Sequence, residues 1–154
     1  VIRNVQPLGD PCWTDDMKPA YLGSSALAGS ILAYFSLTNT ESATCHTYGY
    51  PKIEFLSSAG GVLLAQIGHS KKTSFDTPTP ATMVNLAPGQ KAYFKIVSTS
   101  TGPSGRSCAK ATEMELTVPY DSLAQTVPVP GGVPACGAVT VSPVLPHYIA
   151  YASN

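Results

Sequence analysis

Four cysteines (Cys12, Cys45, Cys108 and Cys136), three histidines (His46, His69 and His147) and two close acidic pairs (Asp15-Asp16 and Glu113/Glu115) have the side-chain types suited to catalysis or metal binding. The cysteines lie too far apart for a CxxC or other short zinc spacing. An even number of widely separated cysteines instead predicts two disulfides formed in an oxidising compartment. A metal site needs three or four converging ligands, and nothing in the spacing of the histidines brings them together. Lone histidines are commonly just solvated. Glu113 and Glu115 share one strand face, which is open to a carboxylate dyad. Their position opposite Met114, Leu116 and Val118 fits a solvent-facing sheet surface better. No G-x-S-x-G elbow, G-x-G-x-x-G turn or phosphate loop occurs, and Gly102-Pro103-Ser104-Gly105 is a turn rather than a cradle. No catalytic residue, metal ligand or cofactor is assigned, and the chain is expected not to be an enzyme.

Tyr34, Tyr93, Tyr48, Tyr50 and Trp13 are the aromatics from which a glycan platform would be built. Outward aromatics more often cover a second layer or an interface, so secreted ligand binding is the alternative expectation and a structural or interaction role the leading one.

The elements that must position these residues are short. The chain has 154 residues, enough for one domain that buries roughly 70% of its unfolded surface. Fourteen prolines and thirteen glycines, scattered between apolar runs, argue against long helices and for a loop-rich β protein. Charged residues make up 12%, against about 25% in ordinary soluble domains. Nine basic and nine acidic residues cancel. No basic field is available for nucleic acid or an anionic membrane, and close approach of neutral surfaces is opposed only weakly. No apolar run of ~18 residues predicts a membrane span. There is neither an initiator Met nor a signal-peptide core, so either the chain was trimmed or the mature protein is expected to begin near Val1. No N-x-[ST] sequon occurs, so N-glycosylation is not expected.

Ser30–Thr38 alternates, with Ile31, Ala33, Phe35 and Leu37 on one face and Leu32, Tyr34, Ser36 and Thr38 on the other, as a strand does. Asn39 to Ser42 supply turn chemistry. "KIEFL" at Lys52–Leu56 places Ile53 and Phe55 inward, and "VLLAQI" reads as one further strand. Gly68 to Pro80 reads as a long surface loop and Met83–Leu86 as a short strand. Ala87-Pro88-Gly89-Gln90 predicts a type II turn, with proline at its second position and glycine at the third, where φ is positive. "KAYFKIV" and "TEMELTV" alternate again, with Lys91, Tyr93 and Lys95 outward in the first. Val127–Gly132 reads as a Pro/Gly connection and "AVTVSPV" as the last core strand. Short strands punctuated by turns predict an all-β, immunoglobulin-like antiparallel β-sandwich.

An order of motifs runs through these elements: Ala28-Gly29, Leu37-Thr38-Asn39, Cys45, Gly49-Tyr50-Pro51, Leu86-x-Pro88-Gly89 with Ala92, Cys108, and the final "CG-x-V-x-V-S-P-V" from Cys136. In this order the chain resembles the bacterial secreted family called domain of unknown function 4232, from about Cys12 to Val144. The resemblance implies an exported or lipid-anchored envelope protein with an immunoglobulin-like sandwich, at the surface of a bacterium or outside it, and brings no activity with it. His46-Thr47-Tyr48 departs from the family, which more usually has a leucine before "GYP". Physically, Asn39 can satisfy turn backbone, Gly49 permits a conformation closed to β-branched residues, and Tyr50 before Pro51 is biased to extended geometry.

Three disulfide connectivities are open. If the strands opened by Cys45 and Cys108 both flank "KAYFKIV", both cysteines lie at one end of the sandwich. Cys45–Cys108 is then expected, with Cys12–Cys136 as the second bridge. Residues 12–146 are expected to form the domain, between an N-terminal extension (1–11) and a C-terminal tail (147–154). Val1, Ile2, Val5 and Leu8 in the extension, and Tyr148, Ile149 and Tyr151 in the tail, favour β structure. They are the expected interface of a homo-oligomer or self-assembling filament built by strand addition.

Overall fold

The structure is a computed structural model, and it describes residues 10–27, 29–57, 61–63, 66–69, 80–101, 105–106 and 108–147. The strands are β1 (Asp10–Pro11), β2 (Met17–Leu27), β3 (Ser30–Asn39), β4 (Cys45–Thr47), β5 (Lys52–Leu56), β6 (Val62–Leu63), β7 (Gln66–His69), β8 (Val84–Leu86), β9 (Lys91–Thr99), β10 (Lys110–Thr117), β11 (Gln125–Pro134) and β12 (Ala138–Val141). Among the described residues the helical content is a single 3-10 turn at Thr14–Asp16. The strands form a five-stranded sheet in the order β2-β3-β9-β12-β7, a four-stranded sheet β11-β10-β5-β6, and a small sheet β1-β4-β8. The chain is an all-β sandwich of the immunoglobulin-like kind. Its pairing is antiparallel except at β1–β4 and β12–β7.

Alternation builds the core. Ala33, Phe35 and Leu37 of β3 join Ala92, Phe94 and Ile96 of β9 on the inner face, opposite Ile53, Phe55, Met114 and Leu116 of the second sheet. Tyr21, Phe35 and Phe94 are successive cross-strand partners over β2, β3 and β9, with ring centroids 5.7 and 5.1 Å apart. Each aromatic contact of this kind adds about 0.5–1.5 kcal/mol beyond the area it buries. The outer face of the same sheet is also covered: Leu32, Tyr34 and Val97 form a second buried cluster. Lys95, on an outward position of β9, is buried there too, contrary to its reading as solvent-facing.

Several expectations change. "VLLAQI" is two strands in different sheets, β6 on β5 and β7 on β12. Of the expected loop from Gly68 to Pro80, residues 68–69 belong to β7, and 70–79 lie outside the described residues. Val127–Gly132 is no connection but part of β11, with Val127, Val129 and Val133 buried. Its prolines are tolerated because β11 is an edge strand, where a missing N–H faces no partner. β2, an eleven-residue strand, was not expected at all. Asp10 and Pro11 pair with β4, two residues inside the segment read as an extension.

The disulfides are Cys12–Cys45 and Cys108–Cys136, which corrects the expected Cys45–Cys108 and Cys12–Cys136. The premise fails because β9 is flanked by β3 and β12. β4 instead lies between β1 and β8. The parallel pairing Asp10↔Cys45 and Pro11↔His46, with the Cys12 N–H donating to the His46 carbonyl (2.7 Å), brings Cys12 beside Cys45. Cys108 and Cys136 flank the open end of the β10–β11 pair, where Lys110 faces Pro134 and the Ala135 N–H donates to the Ala109 carbonyl (3.0 Å).

Candidate functional site

The expected family turns hold one end of the sandwich. Gly89 has φ +83° and the Gln90 N–H donates to the Ala87 carbonyl (3.0 Å), closing the turn over Pro88 and Gly89. Asn39 is buried. Its amide donates to the Ala43 and Leu86 carbonyls, both at 2.9 Å, and its Oδ1 accepts the Glu41 N–H at 3.0 Å. Gly49, at φ +111°, accepts the Val144 N–H (2.8 Å), and Tyr50 and Pro51 then lead into β5.

At this end, residues with chemical character gather around the Cys12–Cys45 bridge. His46 on β4 is half-buried, and Tyr48, just after the strand, is exposed. His46 Nδ1 and Thr47 Oγ1 are buried atoms without a hydrogen-bond partner. The His46 ring meets Tyr120 edge-on at 6.1 Å. Tyr120 stands in a turn closed by the Asp121 N–H donating to the Val118 carbonyl (3.2 Å), at the position after Pro119. Its φ is +78°, a left-handed value that costs a bulky residue on the order of 1–2 kcal/mol, and the residue is 52% exposed.

A tight polar knot holds that turn. The Asp121 carboxylate accepts the N–H groups of Thr14 (2.8 Å), Ser122 (2.7 Å) and Leu123 (3.1 Å). The Thr14 hydroxyl accepts the Val118 N–H (3.2 Å), and the Gln125 amide donates to the carbonyls of Thr14 (3.1 Å) and Met17 (3.3 Å). The Thr14 N–H in the first place, opposed in part by burial and aided by those of Leu123 and Ser122, holds the Asp121 carboxyl below its ordinary range. Trp13 and Met83 are exposed at the same end, and a shallow groove of about 90 Å³ beside Trp13 is lined in part by Asp10, Asp16 and Glu41.

The expected aromatic platform is split. Trp13 and Tyr48 are exposed, but Tyr34 is buried, and Tyr93 is half-buried where its strand bridges Leu145. Tyr120 was missed: nothing in "TVPYD" signals a left-handed backbone. Glu113 and Glu115 lie on the outer face of β10; Glu115, directly opposite Glu54, lines a groove of about 110 Å³ with Lys52, Thr117 and Ser122, whereas Glu113, opposite Leu56, is not among its lining residues. Among the described residues no histidine lines the groove. Among the described residues no group of His, Cys, Asp or Glu is arranged to hold a metal ion. The side chain of His69 and the expected interface residues Val1, Ile2, Val5, Leu8, Tyr148, Ile149 and Tyr151 lie outside the described residues. No described helix is long and apolar enough to cross a membrane.

A second surface feature is the outer edge of β2, which has no strand partner among the described residues. Ser24, Ser25 and Ala26 are exposed, and no residue from Ala20 to Leu27 is charged.

The family model described as domain of unknown function 4232 matches residues 12–145. The chain belongs to that family. No curated protein matches it. Among solved structures, a β-glucosidase from Kluyveromyces marxianus is similar over 88% of this chain and 14% of its own, at 11% identity and a TM-score of 0.33. So distant a likeness bears on neither activity nor substrate.

Proposed function

We propose that this family member is a non-catalytic extracellular or envelope module that builds or binds, and that it self-associates through its terminal segments into a filament. The observation that carries the reading is the uncharged stretch of the β2 edge from Ala20 to Leu27, left without a strand partner among the described residues. Such an edge is a template for strand addition unless charge, proline or a covering segment blunts it. The two disulfides fit an oxidising, non-cytoplasmic environment. Zero net charge lets copies approach closely. Sedimentation velocity of the intact chain over rising concentration tests the reading. Species that keep growing with concentration support it, and a monomer at the highest concentration ends it.

A second reading, ligand binding, draws on Tyr120. An exposed aromatic residue held at unfavourable φ, at the end of the sandwich that also exposes Trp13 and Tyr48, is suited to stacking on sugar rings. A glycan array checks it, with Trp13→Ala as control: a saturable hit that the variant loses supports this reading.

A further inference from the structure

The sandwich offers several strand edges, but they are unequal. β1 and β6 have two residues each, β8 has three and β7 has four. β11 is long, but Pro128, Pro130 and Pro134 deprive it of donors. Among the described edges β2 alone is long and carries most of its N–H groups. Its first half is partly engaged, since Met17 accepts from Gln125 and Pro19 has no N–H. The bulge between Tyr21 and Gly23 turns the strand, and beyond it Ser24, Ser25 and Ala26 stand exposed. No lysine or glutamate guards this half, although edge strands are usually protected by such residues.

We propose that the outer edge of β2 from Gly23 to Leu27 is the acceptor for an added strand, and that the donor is Val1–Leu8 of a second copy. This rests on the self-association reading above. The donor lies upstream of the matched family region and carries Val1, Ile2 and Val5, with Arg3 its only charge. β-Branched residues favour an added strand, backbone hydrogen bonds supply the affinity, and Pro7 sets an end to the pairing. Donor and acceptor differ, so the contact is head-to-tail and does not close on itself; it propagates as a filament.

The test uses the intact chain, the variant Ser24→Lys/Ser25→Lys and a synthetic peptide of residues 1–8. The wild type is expected to polymerise. The lysine variant should raise the concentration needed for polymerisation by about tenfold or more, with an unchanged melting temperature. Excess peptide should shorten wild-type polymers by occupying the edge, an outcome independent of whether the variant folds. A wild type that remains monomeric overturns both this inference and the reading beneath it. Polymers that resist the peptide, or that form equally well from a folded lysine variant, overturn the inference and leave self-association standing.

Discussion

At the Cys12–Cys45 end the chain exposes Trp13, Tyr48, Met83 and Tyr120, whereas at the Cys108–Cys136 end it presses backbone against side chain around Gly137. These ends are opposite, because β3 runs from Ser30, which faces Thr99, to Thr38, which faces Lys91. At the first end a disulfide joins the residue after a two-residue strand to a three-residue strand, and the Asn39 hydrogen bonds and the polar knot of Thr14, Asp121 and Gln125 hold the loops around it. At the second, the disulfide closes the mouth of a long antiparallel pair that sheet hydrogen bonds already hold. Similar covalent bonds thus serve different needs. One supports a surface that would otherwise have little to hold it, and the other reinforces a packed corner.

Removing the bridges should test that contrast most severely. The sequence separations of 33 and 28 residues give nearly equal loop entropies, about 4 kcal/mol each in the chain-entropy model. Chemical denaturation of Cys12→Ala/Cys45→Ala and of Cys108→Ala/Cys136→Ala should therefore show similar losses of midpoint. Hydrogen exchange should separate them: the first variant loses protection locally in β1, β4 and β8, and the second keeps protection in β10 and β11. Equal local losses at both ends would erase the distinction.

Gly137 gives the next effect. A Cβ there would lie 2.6 Å from the Thr101 carbonyl oxygen and collide with the Thr99 hydroxyl. Gly137→Ala should cost about 1–3 kcal/mol in urea unfolding, the usual range for overpacking. A neutral result would mean that this corner is looser than its contacts imply.

How far such features were legible depended on whether a local pattern controlled them. The alternation in "SILAYFSLT" and "KAYFKIV" gave β3 and β9, because a two-residue period is fixed by the pleat. Pro88-Gly89 gave its turn, because only a few residues suit it. β2 is absent from the sequence reading; it holds Pro19 and Gly23, residue types that ordinarily weaken a strand, here on an edge and at a bulge. The bridges were misassigned because connectivity depends on which strands are neighbours, and β4 belongs to a sheet of its own with β1 and β8. Tyr120 could not be foreseen at all: its backbone is set by the Thr14–Asp121 knot, whose partners are 107 residues apart.

Tyr120→Gly isolates the strain at the exposed end. Glycine adopts φ +78° without the Cβ clash, and that relief exceeds its greater unfolded-state entropy and the lost contact with His46. We expect a gain of roughly 0.5–1 kcal/mol, a rise in melting temperature of about 1–4 °C. A fall in stability would show that the ring packs more firmly than its exposure suggests.

The smallest effect concerns the knot itself and depends on pH. The folded-state pKa of Asp121 is lowered from 3.8 by backbone N–H groups that bond its ionised form. A depressed pKa means that the unfolded chain binds this proton more tightly. The associated stability is therefore fully present above the unfolded pKa, and it is lost as pH falls through the lower folded value. Asp121→Asn keeps one acceptor oxygen but cannot ionise. Melting temperatures compared at about pH 6 should place the variant below the wild type, and the gap should narrow as the pH falls through the lowered folded-state value and the wild-type carboxyl is protonated as well. Because the group is only partly shielded from water, the gap should also narrow as salt is added. A gap that persists unchanged at the lower pH would assign the role of Asp121 to hydrogen-bond geometry alone, with its charge contributing nothing to holding Tyr120 at the surface.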